Sequence, residues 1–268
     1  MSKISIHWFR NDLRVQDNPS LQFAAQNGSV TPIFILDTVN NTQKEFKLGE
    51  ASAWWLHHSL HSLDKSLANK LNCFSGDPIK IIKELIENNE IESFSWNRCY
   101  SPWEIKRDTE IKVLLKENNI NVKTFNGSLL WEPWEILKDD NTPYKVFSPF
   151  YRKGCLVKHN GPRGIVSLEN VTFCKKLDSS GDIDSLNLLP NHEWKDKFEN
   201  YWNIGEKAAM TKYIHFRDNG LTGYKEGRNF PTKDNVSILS PHLHFGEISP
   251  HQIWHDNKDL FPEKDVAH

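Results

Sequence analysis

The sequence predicts an α/β fold: a parallel β-sheet covered by helices on both faces, then a long linker, then the beginning of a helical domain. Two observations predict this order. Short, apolar, β-rich runs alternate with helical patterns over residues 1–130, which is typical of parallel strands joined by crossover helices. From 131 to 196 prolines and glycines interrupt every pattern, and helical periodicity returns only after that stretch.

Each predicted strand is a short apolar run, and the five runs lie at 4–9, 30–36, 71–74, 91–96 and 121–125. The helices are predicted between them. A capping side chain followed by proline is typical of a helix start, so Asn18-Pro19 begins the first helix and Asp77-Pro78 begins the one at 79–87. Leucines at 56, 60, 63 and 67 recur at helical spacing, and 104–118 has a helical pattern as well. A further helix is predicted over 202–217.

A polar segment follows the first strand. Right-handed crossovers would place a ligand at the carboxyl ends of the strands. No GxGxxG motif stands there, which argues against an ordinary dinucleotide site. The loop instead reads WFRNDLRVQDN over 8–18, so a polar loop with two arginines is expected at the ligand edge.

Composition excludes several classes of protein. The chain has 268 residues, 38% of them apolar and 25% charged, with a mean hydropathy of −0.61, as in a folded, soluble protein. It has neither a run of roughly 18 apolar residues nor an apolar signal-peptide core, which argues against membrane and secreted proteins. The four cysteines form no CxxC pair, which is typical of reduced thiols in the cytoplasm.

Charge and aromatic content leave two questions open. A net charge of −2 excludes a nucleic-acid footprint over the whole surface but leaves room for a local basic patch. Ten tryptophans contribute to an aromatic content of 12%. Such side chains stack on flat ligands or fill a core, and composition alone favours core filling.

A candidate phosphate site precedes Pro241. Ser240 is predicted as an N-cap with proline at the first helical position, and two hydroxyls beside unpaired N–H groups suit a phosphate. An ordinary capped helix is the alternative. His242 and His244 are two apart and point to different faces of a helix, so no metal site is predicted.

Other polar residues are expected to be structural. His57 and His58 are predicted as half-exposed packing residues, and Glu104, Lys106, Arg107 and Asp108 as a solvated helix face. No nucleophile elbow, Ser/His/Asp order or P-loop occurs in the chain. The residues alone therefore name no reaction.

Long motifs carry a resemblance to a known family. IHWFRNDLRVQDNPSL at 6–21 and NFPTKDNVSILSPHLHFGEISP at 229–250 resemble the photolyase/cryptochrome family. Between them, and in the family's order, stand WNRCYSPWEIKRD at 96–108, FNGSLLWEPWEI at 125–136 and TPYKVFSPFYR at 142–152. RNFP and LSPHLHFGEISP are similar to the class I-like bacterial branch, the deoxyribodipyrimidine photolyases that repair cyclobutane pyrimidine dimers.

The resemblance implies an architecture and a chemistry. Residues 1–130 would form a Rossmann-like antenna domain holding methenyltetrahydrofolate or 8-hydroxy-5-deazaflavin, 131–196 a linker, and 197–268 the start of an all-α domain that binds FAD and UV-damaged DNA. Excited, reduced FAD would donate an electron to the dimer and recover it after the ring splits. That chemistry belongs to the cofactor, so no catalytic side chain is assigned here.

The resemblance also implies site residues. Tyr224 matches an FAD contact, and the diphosphate turn matches Val236, Ser237, Ile238, Leu239 and Ser240. The family usually has threonine at the position of Val236, and the lost hydroxyl would cost about 1 kcal/mol of cofactor affinity. Arg228 matches a DNA contact. The antenna positions are Trp8, Arg10, Asp12, Phe34, Leu36, Asp37, Asn97 and Glu104; the identity of the antenna stays open.

Family members continue well past this chain, so only the start of the helical domain is expected, and the chain alone is expected to bind FAD weakly or not at all. Two alternatives remain beside a light-driven repair lyase. One is a blue-light photoreceptor of the cryptochrome type, and the other a chromophore- or nucleotide-binding module without repair activity. A cytoplasmic monomer is expected.

Overall fold

The computed structural model describes residues 3–40, 48–158, 161–169 and 171–257. Five parallel strands form one sheet in the order β3-β2-β1-β4-β5. Their bounds are β1 Ile4–Phe9, β2 Val30–Asp37, β3 Asn72–Gly76, β4 Ile91–Asn97 and β5 Asn121–Phe125. The predicted parallel sheet is therefore confirmed, and its strand order reverses between β1 and β4.

Four helices connect these strands: α1 Pro19–Gln26, α2 Glu50–Ser66, α3 Pro78–Asn88 and α4 Pro102–Glu117. The two predicted caps are confirmed. The Asn18 side chain accepts a hydrogen bond from Leu21 N (3.1 Å), and Asp77 accepts one from Ile79 N (3.0 Å). Proline occupies the first turn of both helices, where its missing N–H costs nothing.

The sheet separates two apolar cores. On one face Leu21 of α1 and Trp54 and Leu60 of α2 are fully buried. On the other, Ile82 of α3 and Ile111 of α4 pack on the strands. Helices on both faces make the sheet doubly wound, and most of the large buried side chains, several tryptophans among them, fill these cores.

The predicted linker contains short helices and packs on the sheet domain. The helices are α5 Phe147–Pro149, a π-helical turn Phe150–Cys155, α6 Leu156–Lys158, a 3₁₀ turn Asp184–Leu186 and α7 Trp194–Glu199. Ile183 and Leu186 are buried in the α2-side core. Gly181 pairs with Cys73 in an antiparallel bridge at the open edge of β3. The linker therefore covers that edge strand.

The C-terminal helices are α8 Glu206–His215, a π turn Phe216–Gly220, a 3₁₀ turn Leu221–Gly223, α9 Tyr224–Gly227, α10 Ser240–His244 and α11 Pro250–Asn257. The helix predicted from 202 is wrong at its start, because α8 begins only at Glu206. Gly205 has φ +102°, and a Cβ there would lie 1.9 Å from Ser62 Oγ. The chain therefore passes close to α2 at Gly205, and α8 begins immediately after this residue.

Arg14 joins the two parts of the chain. Its fully buried guanidinium donates to the carbonyl oxygens of Gly246 (3.0 Å), Asp17 (3.0 Å) and Gly127 (2.6 Å). Leu13 N donates to Phe245 O (3.0 Å) beside it. The loop after β1 therefore rests directly on the turn after α10. No helix in the described parts of the chain combines the length and apolar character that crossing a membrane requires.

Candidate functional site

A cleft opens where the strand order reverses, at the carboxyl ends of β1 and β4. Its volume is about 320 Å³, and it is lined by Asn11 and Asp12 after β1, residues 97–101 after β4, Glu104 and Ser128. In doubly wound sheets the two crossovers diverge at this reversal and leave a crevice. The predicted location of a ligand edge is thus matched by a cleft.

The floor of the cleft is a hydrogen-bonded amide–carboxylate group. Asn97 Nδ2 donates to Asp12 Oδ2 (2.6 Å) and to Asn18 Oδ1 (2.8 Å), and Arg10 N donates to Asp12 Oδ1 (2.7 Å). Burial lowers the pKa of neighbouring His7 to about 4, so this histidine is neutral at pH 7. The group holds the ends of β1 and β4 together in one conformation.

Two arginines lie over the Trp8 ring. The guanidinium carbons of Arg10 and Arg107 are 4.9 Å and 5.0 Å from its centroid, within the range of a cation–π contact. Asp108 pairs with Arg10 (2.6 Å) and Arg107 (2.8 Å), and Asp37 pairs with Arg107 (3.1 Å). The positive charges are therefore neutralised inside the protein.

This network corrects the predicted solvated face of α4. Arg107 is only 5% exposed and points inward, because Asp37, Asp108 and the Trp8 ring supply its partners. Asp108 is the next residue on the same helix, but a one-dimensional charge pattern cannot show Asp37 and Trp8, which come from β2 and β1.

The eight predicted antenna positions divide into three groups. Asp12, Asn97 and Glu104 line the cleft. Trp8, Arg10 and Asp37 belong to the buried cation–π and ion-pair network. Phe34 and Leu36 pack with the α2-side core instead, so the structure does not bring them to the cleft.

Several atoms at this edge have unused hydrogen-bonding capacity. Trp8 Nε1, Arg10 Nε and Asn97 Oδ1 are buried and lack a partner among the described residues. Buried polar groups are normally satisfied. Of these three residues Asn97 lines the cleft, so its unpartnered Oδ1 fits a flat heterocycle of the predicted antenna class that carries a donor on its rim.

No role for Arg98, Tyr100 and Glu132 is predicted from the sequence. Glu132 is 2% exposed and accepts from Arg98 Nε (2.8 Å) and Tyr100 Oη (2.8 Å). Burial, followed by the Glu132 contact, raises the pKa of Tyr100. These residues separate the first cleft from a second one of about 400 Å³. The motifs at 96–108 and 125–136 were the signal that could have indicated them.

The predicted FAD turn, residues 236–240, leads directly into α10. Ser240 is the first helical residue and Leu239 the N-cap, with no side-chain cap, so the predicted N-cap at Ser240 is wrong. Ser237 Oγ instead accepts a long bond from Leu239 N (3.4 Å). Leu239 is buried in a small core with Tyr213 and Ala209, which anchors the turn.

The exposed side of this turn is apolar and strained. Val236 and Ile238 are 40% and 47% exposed. Ile238 has φ +49°, a conformation that is unfavourable for a β-branched residue and concentrates at functional sites. Exposed Ser240 adds a hydroxyl. An apolar wall beside a hydroxyl and backbone N–H groups fits the predicted contact with a flavin nucleotide.

Tyr224 is the first residue of α9, and Arg228 is the C-cap that follows its last turn. The Arg228 guanidinium carbon is 5.3 Å from the Tyr224 ring centroid. Asn235 ties this helix to the turn, since its Nδ2 donates to Gly220 O (2.8 Å) and a Cβ on Gly227 would lie 2.0 Å from its Oδ1. The structure therefore places the predicted FAD and DNA residues in neighbouring segments.

His242 has a structural environment. Its Nδ1 lies 2.5 Å from Glu247 Oε2, and Trp55 Nε1 donates to Glu247 Oε1 (3.1 Å). The Trp55 ring stacks parallel to Phe245 at 6.2 Å. These buried contacts fix α10 against α2 and so set the position of the predicted FAD turn relative to the sheet.

The fold and clefts define a class: a doubly wound α/β protein with a ligand crevice at its strand-order reversal, packed on a helical segment with a second candidate site. The DNA photolyase family model matches residues 5–163, more than half of the chain. The chain therefore belongs to the photolyase/cryptochrome family, as its motifs predicted.

Two curated relatives represent the family's branches. The deoxyribodipyrimidine photo-lyase of Agrobacterium fabrum is 37% identical over 95% of this chain and 53% of its own length. Cryptochrome-1 of Arabidopsis thaliana is 31% identical over 94% of this chain and 37% of its own length. The chain thus spans about half the length of the photolyase and less of the cryptochrome.

Solved structures agree with this membership. A bacterial class III photolyase from Agrobacterium tumefaciens has a TM-score of 0.89 at 36% identity, covering 100% of this chain and 56% of its own. An archaeal photolyase from Sulfolobus tokodaii, solved with two FAD molecules, has a TM-score of 0.76 at 26% identity, covering 97% and 56%. The class I-like assignment stays a prediction beside this class III similarity.

Proposed function

We propose that this chain is the N-terminal part of a light-driven DNA repair enzyme that splits cyclobutane pyrimidine dimers with bound FAD. Three parts of the chain would share the work: residues 1–130 as the antenna domain, 131–196 as the packed linker and 197–268 as the start of the flavin domain. The observation that carries the proposal is the adjacency of the 236–240 turn to Tyr224 and Arg228. In this arrangement a surface that suits a flavin nucleotide lies beside a basic side chain that suits DNA.

When bound, FAD would supply the electron that opens the dimer. The residues of this chain would bind and orient. Ser237, Ser240 and the backbone N–H groups of the turn would hold the diphosphate, while Val236 and Ile238 would exclude water from one side. Tyr224 would contact the nucleotide from α9.

Arg228 would hold a DNA phosphate near the lesion. Its side chain is exposed, and a guanidinium forms bidentate, charge-assisted bonds to phosphate oxygens. The stacked Tyr224 ring limits its rotamers and so reduces the entropy lost on binding. A single contact of this kind positions DNA without reading its sequence.

The antenna would bind in the cleft at the β1–β4 edge. Asp12, Glu104 and the unpartnered Asn97 Oδ1 would provide acceptors, and the Trp8–Arg10 stack would support the floor. The test is a titration of the chain with methenyltetrahydrofolate and with 8-hydroxy-5-deazaflavin, followed by near-UV absorption. Glu104→Gln should weaken retention and Glu110→Gln, an exposed residue on the same helix, should not.

The repair activity is tested with the full-length gene product that carries this sequence. Thymine-dimer oligonucleotide is illuminated with blue light in the presence of reduced FAD, and the recovery of absorbance at 260 nm is compared with a dark control. We expect light-dependent recovery. The absence of recovery from a protein that retains FAD would contradict the proposal.

Arg228→Ala should raise the Kd for dimer-containing DNA by about 10-fold, because a hydrogen bond to a charged group contributes about 1.5 kcal/mol or more. Lys225→Ala is the matched control, since it removes one positive charge from α9, three residues before Arg228. Equal effects of the two variants would show general charge attraction instead of a phosphate contact at Arg228.

The second candidate is a blue-light photoreceptor, favoured by the 31% identity to Cryptochrome-1 of Arabidopsis thaliana. It predicts flavin binding and photoreduction without dimer repair. A third, a chromophore-binding module, predicts antenna binding by the chain and no flavin. Titrating the full-length gene product with FAD separates these two candidates; the chain alone is expected to bind FAD weakly or not at all, since the turn offers only one exposed wall.

A further inference from the structure

Three metal-ligating side chains converge on the surface of α2, away from both clefts. His57 and His61 are four residues apart and therefore lie on one face of the helix. Asp184 approaches them from the 3₁₀ turn Asp184–Leu186. One potential ligand atom from each of the three lies within 4.8 Å of the other two.

The distances suit coordination to a shared ion better than direct hydrogen bonding. Asp184 Oδ1 lies 3.4 Å from His61 Nε2 and 3.8 Å from His57 Nε2. Good hydrogen bonds to nitrogen span about 2.7–3.2 Å. Ligand atoms bound to Zn²⁺ at about 2.0–2.1 Å in a tetrahedron are separated by about 3.3–3.5 Å. One carboxylate oxygen thus lies between two imidazoles at approximately that separation.

Both sides of the cluster are held in place. Leu60 and Leu63 fix α2 in the core. Ile183 and Leu186, on either side of Asp184 in the sequence, are buried in the same core. Backbone hydrogen bonds join Gly181 to Cys73 on β3. Small rotamer changes would therefore suffice to close the site, without movement of the backbone.

The donor set indicates which ions fit. Two imidazoles and one carboxylate suit Zn²⁺ and similar borderline divalent ions, whereas Mg²⁺ and Ca²⁺ prefer oxygen ligands. Asp184 and His61 are partly open to solvent, which leaves room for water as a fourth ligand.

We propose that His57, His61 and Asp184 form a binding site for a divalent transition-metal ion of the Zn²⁺ type, which cross-links α2 to the linker. The bound ion would stabilise the packed conformation of residues 183–188, because a ligand that binds only the folded state shifts unfolding by mass action. The proposal does not depend on flavin or DNA binding.

The test measures Zn²⁺ binding to the metal-free chain by calorimetry, with Mg²⁺ as a comparison ion. His61→Ala and Asp184→Asn should each weaken Zn²⁺ binding at least about 100-fold, since even the loss of a residue that only supports a ligand costs 10–100-fold. Both residues are at the surface, so both variants should fold.

Matched controls come from a second histidine–carboxylate pair. His215 Nε2 and Asp234 Oδ2 are 2.6 Å apart and exposed, and within the described residues they belong to no three-ligand group. His215→Ala and Asp234→Asn should leave Zn²⁺ affinity within about 2-fold of the wild type. If these controls lose binding as strongly as His61→Ala, or if the wild-type chain binds no Zn²⁺, the proposal is overturned.

Amide hydrogen exchange gives an independent readout. Zn²⁺ should slow exchange at 183–187 in the wild-type chain and leave it unchanged in Asp184→Asn. Slower exchange in both proteins would place the ion elsewhere and would also overturn the assignment.

Discussion

Replacing Arg14 should be among the most destabilising single changes in the described part of this chain. The guanidinium is fully buried and donates to four carbonyl oxygens, of Gln16, Asp17, Gly127 and Gly246, at 2.6–3.1 Å. It forms no salt bridge with the described residues; the carbonyl dipoles solvate it. Burial lowers the pKa of this arginine, which reflects the cost of its desolvation.

The magnitude follows from what Arg14→Met leaves behind. Methionine fills most of the volume, but the carbonyl oxygens lose their donor, and each buried polar group left unsatisfied costs about 1–3 kcal/mol. Part of this cost is offset, because methionine is neutral and the variant no longer pays for desolvating the Arg14 guanidinium. We expect a loss of about 3–5 kcal/mol, which corresponds to a Tm decrease of roughly 10 °C for a chain of this size.

The assay is urea unfolding followed by far-UV circular dichroism. Arg217→Met is the control, because that arginine pairs with Asp218 and Asp256 at the surface, where ion pairs contribute about 1 kcal/mol or less. A loss below 1 kcal/mol for Arg14→Met, or equal losses for the two variants, would refute the reasoning.

Three further predictions concern pH, packing and the flavin turn. Burial depresses the pKa of His7 to about 4 in the folded chain, below the value of about 6.5 in the unfolded chain. Between these two pH values the unfolded chain binds a proton that the folded chain does not, so stability falls as the pH drops from about 6.5 toward 4. The loss from His7 at pH 5 should be about 2 kcal/mol, and urea unfolding at pH 7 and pH 5 should show a smaller difference in His7→Gln. Gly246→Ala should destabilise by about 3 kcal/mol, because φ is +68° and a Cβ would lie 2.1 Å from Asn11 O; thermal unfolding measures it, and Gly164→Ala, at an open position, is the control. Val236→Thr in the full-length gene product should tighten FAD about 5-fold by adding a hydroxyl donor, whereas Val236→Ala should not, and equal affinities in a fluorescence titration would contradict that contact.

Local sequence determined the elements of the sheet domain. The strands β1 and β5 have the predicted bounds, and Asn18 and Asp77 cap the predicted helices. Capping and apolar periodicity act over a few residues, so their signals are present in a short window of sequence. The cleft lies at the edge where parallel crossovers place a ligand, because they leave few possibilities for such a crevice.

Tertiary structure decided where the charged residues point. Arg107 turns inward because Asp37 on β2 and Trp8 on β1 meet it there, and Arg14 is satisfied by a carbonyl 232 positions away. The meeting of His57, His61 and Asp184 likewise depends on how the linker packs on α2. Burial and long-range partners set the free energy of a charged side chain, and neither is visible in the residues beside it, whereas the capping side chain and the first turn of a helix are always neighbours in the sequence.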